Sequence, residues 1–375
     1  RSRVWGRLRD SVLKPVLKRV LGRNFYHDLT EKYYWGVVFV NYIFMRVPFL
    51  RRRYKVGLWS QSLYIEGTNA CNAACLFCAY PQMERPKALM PMDIFKESID
   101  QWTKLGGDEI DLTPIVGEPM ADKLLFERMD YMLASPKIRR FHFFSNAVLM
   151  KPEHCEKLCK YSEKLIVYLS FGGFDRETYH KIMGIDKFAE AVSAIRCLIE
   201  TKRRMGSKLV IQVNLRTPEK NGEHGEFWDY LQKAQAEKLI VVDKIAAYDS
   251  WAGSIGSKAL AESGLTVKPM PTKRGPCHRL MTTPMVLTDG RVNGCADRDI
   301  ETVLIVGDMK KQPLGEILKG DALFDLIDAH DRGEPPDVCK RCNYWDSLYP
   351  NWLQGWLFKP VNGFFVWLNR ARPKA

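Results

Sequence analysis

Six short apolar runs, each followed by a helical or turn-rich stretch, do most to constrain the fold of this chain. They are SLYIEG (62–67), EIDLTPIVGEP (109–119, strand and loop), RFHFFSNA (140–147), KLIVYLSFGG (164–173), KLVIQVNLRT (208–217) and LIVVDKIAAY (239–248). Helical periodicity fills segments between them, such as 91–107, which ends in glycine, 151–162 and 186–204. Strands alternating with helices fold as βα units around a parallel sheet or a partial barrel. In such folds the chemistry gathers at the C-terminal ends of the strands. After about residue 275 the periodicity weakens and turns accumulate, which predicts a smaller second domain.

The stretch TNACNAACLFCAY (68–80) follows directly on the first run. It places Cys71, Cys75 and Cys78 in a C-x3-C-x2-C loop. Residues 1–32 contain no uninterrupted apolar core of the secretory kind, so a cytoplasmic protein is expected. There, close-set cysteines point to metal binding in preference to disulfides. Four thiolates close a tetrahedral zinc site or complete a four-iron cluster. Three around a four-iron cluster leave one iron without a protein ligand, open to a substrate or cofactor. Zinc with a distant fourth ligand is the competing reading.

The cysteine loop resembles the signature of the radical SAM superfamily, in which the open iron chelates S-adenosylmethionine. The similarity runs over roughly residues 62–250. Gly117-Glu118-Pro119 follows the second strand as the superfamily's GGEP element does, with Val116 in place of its first glycine. Ser145-Asn146 ends the third strand. The stretch 168–184 resembles the element written around Ser-x-Asp-Gly with a trailing Arg-Gly, but has Phe171-Gly172 and Met183-Gly184 at those places. The resemblance implies an α/β fold, a partial (β/α)6 TIM-like barrel over 61–270. It implies a [4Fe-4S] cluster with an open iron site on Cys71, Cys75 and Cys78. Contacts to S-adenosylmethionine fall to Phe77, Gly117, Glu118, Pro119, Asn146 and Ser170. The implied chemistry is reductive cleavage of that cofactor and abstraction of a substrate hydrogen atom, with flavodoxin or ferredoxin as a reducing partner.

A second set, Cys277, Cys295, Cys339 and Cys342, has the spacing C-x17-C-x43-C-x2-C. Asp289-Gly290 is a turn dipeptide between apolar runs, and the hairpin it predicts brings Cys277 and Cys295 together. Taken alone, four thiols also suit zinc. Beside a radical SAM core, region 271–348 resembles the SPASM and twitch extensions, which bind auxiliary iron–sulfur clusters. No cysteine follows Cys342, so the resemblance implies one auxiliary [4Fe-4S] cluster, as in the twitch form. The spacing is similar to that of the superfamily's aminocyclitol dehydrogenases. A site closed by four thiolates suits electron transfer, which implies net oxidation. Epimerisation through a hydrogen-donating thiol stays open. Cys155 and Cys159 share one helix face, and with Cys197 they are expected as buried core thiols.

For acid–base work, His180, Tyr248 and Asp297 are the candidates, with Asp249 and Arg298 in plausible places. His278 is expected to support its ligand neighbour and not to bind metal. The expected substrate is sugar- or cyclitol-like, including a lipid-linked one. Ribosomal-peptide maturation and radical functionalisation of a membrane lipid are alternatives. Residues 1–60 show no strand set of a peptide-recognition module, which weighs against the peptide.

The charge is concentrated at one end. Residues 1–60 hold 14 Lys and Arg against 3 Asp and Glu. Residues 4–21 read as a basic amphipathic helix on Trp5, Leu8, Val12, Val16 and Val20. The aromatic run 33–45 is too short to span a bilayer, which takes about 20 residues. The tail 349–375 is aromatic and ends basic. Two readings of these termini stay open: helices packed on the main domain, or an in-plane contact with a membrane surface. Nucleic acid is not an expected partner, because a phosphate-tracking groove has no need of interleaved long apolar side chains.

Overall fold

The computed structural model describes residues 62–218, 222–245, 247–349 and 358–370, with eight positions between 36 and 47. The chain divides into two compact units, Arg1–Tyr54 with Ser347–Ala375, and Lys55–Asp346.

In the larger unit, β1 (Leu63–Ile65), β2 (Glu109–Asp111), β3 (Arg140–Ser145), β4 (Leu165–Phe171), β5 (Val210–Leu215) and β6 (Val241–Lys244) lie side by side in chain order, all parallel. Between them run α1 (Met92–Lys104), α2 (Leu125–Ala134), α3 (Pro152–Lys160), α4 (Arg176–Met183), α5 (Phe188–Met205) and α6 (Gly225–Ala236). This is the expected α/β partial barrel. The run 239–248 divides into β6 and β7 (Ala247–Tyr248), and β7 pairs with β8 (Thr266–Val267) in a small separate sheet.

The cysteine-rich C-terminal region continues the same sheet. β9 (Met285–Val286) runs parallel to β1, and β10 (Arg291–Asn293) and β11 (Ile305–Asp308) extend it antiparallel. The expected turn sits at Gly290, whose φ of 89° favours glycine. Further along, α7 (Asp321–Asp331) leads towards the last two cysteines. Core and second region, expected as separate domains, thus share one sheet and one compact unit. Arg85 reinforces the join. It makes a bidentate pair with buried Glu66 at 3.0 and 3.0 Å and donates to the Ile300 carbonyl at 2.6 Å.

Strand periodicity decides which side chains reach the site. In β4, Leu165, Val167, Leu169 and Phe171 are fully buried, while Ile166, Tyr168 and Ser170 on the other face are half-buried. Register places Tyr64, Asp111 and His142 in one row of that second face, and Ser170 beside Asn214. Cys155 and Cys159 are buried on α3, as expected of core thiols, whereas Cys197 on α5 is only half-buried.

The smaller unit contains α8 (Phe358–Arg370). Its fully buried Tyr42 and Tyr349 share a hydroxyl–hydroxyl bond at 3.0 Å, and Tyr349 donates to Asn362 of α8 at 3.3 Å. The expected helix over 4–21 lies outside the described residues. No helix among the described residues is long and apolar enough to cross a membrane.

Candidate active site

The first thiol set sits on the loop after β1, and the neighbouring strand ends brace it. The Cys78 amide donates to the Cys75 carbonyl at 3.0 Å, closing a tight turn. The Leu76 amide reaches the Ile182 carbonyl of α4 at 2.9 Å. Gly184, in the left-handed region at φ 64°, caps α4 so close to the loop that a Cβ there would fall 2.0 Å from the Ala74 carbonyl oxygen. The Glu118 amide donates to the Ala70 carbonyl at 2.8 Å. The buried Glu118 carboxylate accepts from the amides of Met120 and Asn146 at 3.0 and 2.8 Å. Asn146 in turn donates to the Asn72 side chain at 2.9 Å. Gly117 has a φ of 146°, and a Cβ on it would lie 2.8 Å from Pro114 Cγ and 3.0 Å from the Thr68 carbonyl. Burial pushes the Cys71 thiol up to about 12 and raises Cys75 and Cys78 above the usual thiol range. Metal loading must therefore displace protons from these thiols.

In the second set Cys277 is buried and Cys295, Cys339 and Cys342 are half-buried, and desolvation is the main cause that raises each thiol, Cys277 to about 11. Its surroundings suit thiolates. Lys273 donates to the Cys339 carbonyl at 2.6 Å, and the Asp297 amide points at Cys295 Sγ at 3.5 Å. His278 engages the Asp346 backbone oxygen at 3.3 Å, as a supporting neighbour would.

Between the two sets lies a cavity of ≈ 500 Å³. Phe77, Cys78, Gly117 and Ser170 line it on the side of the first set. On the other side stand Arg279, Asp297, Arg298 and Tyr344, each within three residues of a second-set thiol. These residues form a stack. The Arg298 guanidinium lies 4.1 Å from the Trp251 ring and 4.2 Å from the Tyr344 ring, and the Arg279 guanidinium lies 4.1 Å from the same Tyr344 ring. Arg298 is fixed edge-on by Asp249 at 2.6 and 2.7 Å, and Arg279 by Asp297 at 2.9 Å. Burial pushes the Asp249 carboxyl up, but the Arg298 guanidinium outweighs it and holds it below the usual range. Trp251 closes the circuit by donating from its indole to the Phe77 carbonyl, inside the first thiol loop, at 2.7 Å. It does so from a left-handed backbone at φ 48°, a strained conformation for a bulky residue.

Two further features face this space. Asp111 lines the cavity, and behind it His142 Nε2 lies 3.0 Å from its carboxylate. Burial alone would lower the imidazole, but Asp111 prevails and raises it above its ordinary value. Arg216, just past β5, has rings for neighbours, Phe77 at 5.1 Å and Tyr248 at 5.9 Å. Its Nε and the Tyr248 hydroxyl are buried without a well-formed hydrogen bond, as is the Asn72 side-chain amide. Such orphaned polar atoms suit a polar or anionic occupant.

Of the residues singled out from sequence, Phe77, Gly117, Ser170, Tyr248 and Asp297 line the cavity, with Asp249 and Arg298. Glu118 and Asn146 brace it from behind, and the buried Pro119 begins a short turn that ends at the exposed Ala121. His180 stands exposed on α4 and does not line the cavity, because that helix buries Tyr179, Ile182 and Met183 instead. Sequence reading missed the Asp111–His142 pair, Arg216, Trp251, Arg279 and Tyr344. Arg279 and Tyr344 had a usable signal, since each lies two positions beyond a cysteine.

Among the described residues no three His, Cys, Asp or Glu side chains converge on a single ion. Within each set the thiols are nevertheless near enough to feel one another's charge. Thiols grouped in this way suit a metal centre held by thiolates, such as an iron–sulfur cluster.

Comparison with known proteins agrees with this arrangement. Residues 65–212 match the radical SAM superfamily, and residues 277–343 match the SPASM iron–sulfur cluster-binding domain. No curated protein matches the chain significantly. Among solved structures, the chain is similar to BtrN in complex with AdoMet and 2-DOIA, with TM-score 0.51 and 15% identity over 77% of this chain and 95% of that one. It is also similar to Streptococcus suis SuiB bound to the precursor peptide SuiA, with TM-score 0.50 and 13% identity over 85% and 78%. At these identities the likeness establishes the fold. The chain carries a radical SAM domain, which works with a [4Fe-4S] cluster and S-adenosylmethionine, followed by a SPASM iron–sulfur domain.

Proposed function

We propose that this enzyme oxidises a carbinol carbon of a small, sugar- or cyclitol-like substrate held between its two thiol sets. The observation that carries the reading is the cavity itself, which is walled by the first cysteine loop on one side and by neighbours of the second set on the other. Cys71, Cys75 and Cys78 would hold the open cluster, with Phe77, Gly117, Glu118, Pro119, Asn146 and Ser170 around the S-adenosylmethionine. Cys277, Cys295, Cys339 and Cys342 would hold the auxiliary one. Bound there, these groups would supply the reducing electron, the hydrogen-abstracting radical and an acceptor for the electron left on the substrate. A flavodoxin- or ferredoxin-like protein would serve as reductant.

The chain's own residues orient the substrate and move its proton. Arg216 and the Arg279–Asp297 pair offer donors and acceptors to hydroxyl groups. Burial raises the Tyr248 hydroxyl above its usual value despite the nearby Arg216, so Tyr248 serves as a hydrogen-bond donor and not as a base. Asp249 is occupied by Arg298. Asp111 therefore accepts the hydroxyl proton, and His142 behind it shares the charge. Among the apolar and aromatic side chains of the lining, the Arg279–Asp297 and Arg298–Asp249 pairs and Asp111 can meet the hydroxyl groups of a polyol, and the modest volume suits a small molecule better than a peptide.

The test is anaerobic reconstitution, with about eight irons per chain expected for two four-iron clusters. Strong reductant with S-adenosylmethionine should then release 5′-deoxyadenosine, and a polyol deuterated at its carbinol carbon should transfer the label into it. Zinc in place of iron, or turnover by Cys75→Ala, would sink the reading. Label transfer from a peptide but from no polyol would assign the cavity to peptide maturation.

A further inference from the structure

The unit built from the two chain ends differs sharply in charge from the catalytic unit. Residues 1–54 and 347–375 hold 17 Lys and Arg against 3 Asp and Glu, whereas residues 55–346 hold 40 against 41. Such concentrated positive charge fits an anionic partner.

Helix α8 supplies a second and independent observation. Pro360, Gly363, Phe364 and Trp367 fall at i, i+3, i+4 and i+7, so they form one stripe along the helix. All four are exposed, Phe364 at 53% and Trp367 at 65%, and the two rings lie 6.1 Å apart. Val361, Asn362 and Val366, off that stripe, are half-buried. An ordinary surface helix turns its polar stripe to water, and α8 turns out an apolar and aromatic one. Its 13 residues rise about 20 Å, too short for the roughly 30 Å hydrocarbon core of a bilayer. The segment 351–374 also contains Lys359, Arg370, Arg372 and Lys374 and no acidic residue. A short helix with an exposed aromatic stripe and only cationic charge has the properties of one lying in the plane of a membrane interface.

We propose that α8 docks this unit on an anionic lipid surface. Phe364 and Trp367 enter the boundary between headgroups and acyl chains, and the basic residues of the two chain ends meet the headgroups.

The experiment is co-sedimentation of the full chain with vesicles of phosphatidylglycerol and phosphatidylcholine in equal parts, against phosphatidylcholine alone. The wild type should sediment with the anionic vesicles only. Partitioning should fall about tenfold in Phe364→Ser/Trp367→Ser, which removes the buried apolar area, and should weaken in high salt. Phe364→Leu/Trp367→Phe should retain binding. All variants should release 5′-deoxyadenosine at the wild-type rate. Absence of wild-type sedimentation overturns the proposal, and so does equal sedimentation by the serine variant. A dimer in solution that the serine variant dissociates, without vesicle binding, would instead assign the stripe to a second copy. Tight binding of a single-stranded oligonucleotide without vesicle binding would assign the charge to nucleic acid.

Discussion

Arg298 illustrates how single residues hold this cavity together. It makes two hydrogen bonds to Asp249 and lies over the rings of Trp251 and Tyr344. Arg298→Met leaves the Asp249 carboxylate buried without its partner, which costs about 3–5 kcal/mol. Urea unfolding should show that loss, and Asp249→Asn/Arg298→Met should recover most of it, because no uncompensated charge remains. Full destabilisation in the double variant would mean that packing, and not the ion pair, dominates. His142 offers a pH-dependent case. Asp111 raises its pKa above the unfolded value near 6.5. Its contribution to stability is therefore fully present below about pH 6.5 and is lost as pH rises through the higher folded value. His142→Gln should destabilise more at about pH 5.5, a unit below the unfolded value, than at about pH 9, read as the difference in melting temperature. An equal effect at both would remove the charged pair. The cysteines were legible because their spacing is local. Arg298 with Asp249, 49 positions apart, was legible only as two isolated charged residues, since no local pattern announces a pairing made by the fold.

Element by element, the six strand runs were readable because each alternates or clusters apolar residues between turn signals, as β4 does from Leu165 to Phe171. The hairpin at Asp289-Gly290 was readable for the same reason. The pairing of β9 with β1 was not, because two residues, Met285 and Val286, carry no periodicity of their own. Helix α4 shows why a small departure from a motif can leave an element working. Met183 stands where the resembling element has Arg, yet Gly184 is kept, and the geometry explains it: its backbone presses on Ala74 in the thiol loop. Gly184→Ala would add about 1–2 kcal/mol of left-handed strain and drive a methyl group into the Ala74 carbonyl. The expected outcome is loss of roughly half the iron, about four per chain, with release of 5′-deoxyadenosine abolished. Full iron content in that variant would show that the loop shifts without penalty.

Across the whole molecule, two thiol sets some two hundred residues apart in sequence meet around one cavity because the C-terminal hairpin continues the core sheet beside β1. The Trp251–Arg298–Tyr344–Arg279 stack then spans the distance from Phe77, within the first set, to neighbours of Cys277, Cys295 and Cys342. This arrangement makes the two sites separable in a way that sequence spacing could not foresee. Cys339 does not line the cavity, and its carbonyl accepts from Lys273 and not from any residue that braces the first set. Cys339→Ala should therefore lose about four of eight irons and leave the first site intact. Under strong reductant it should still release 5′-deoxyadenosine, because the residues that brace Cys71, Cys75 and Cys78 come from the ends of β1 to β3 and from α4. On the proposed reading, oxidised product per 5′-deoxyadenosine should fall by about tenfold or more, since the acceptor for the second electron would be missing. Iron analysis with parallel assay of both products measures this directly. If the variant keeps full coupling with four irons, the second set serves only to hold the hairpin in place. If it loses all its iron, the two sites are one folding unit and the separation argued from the sheet fails.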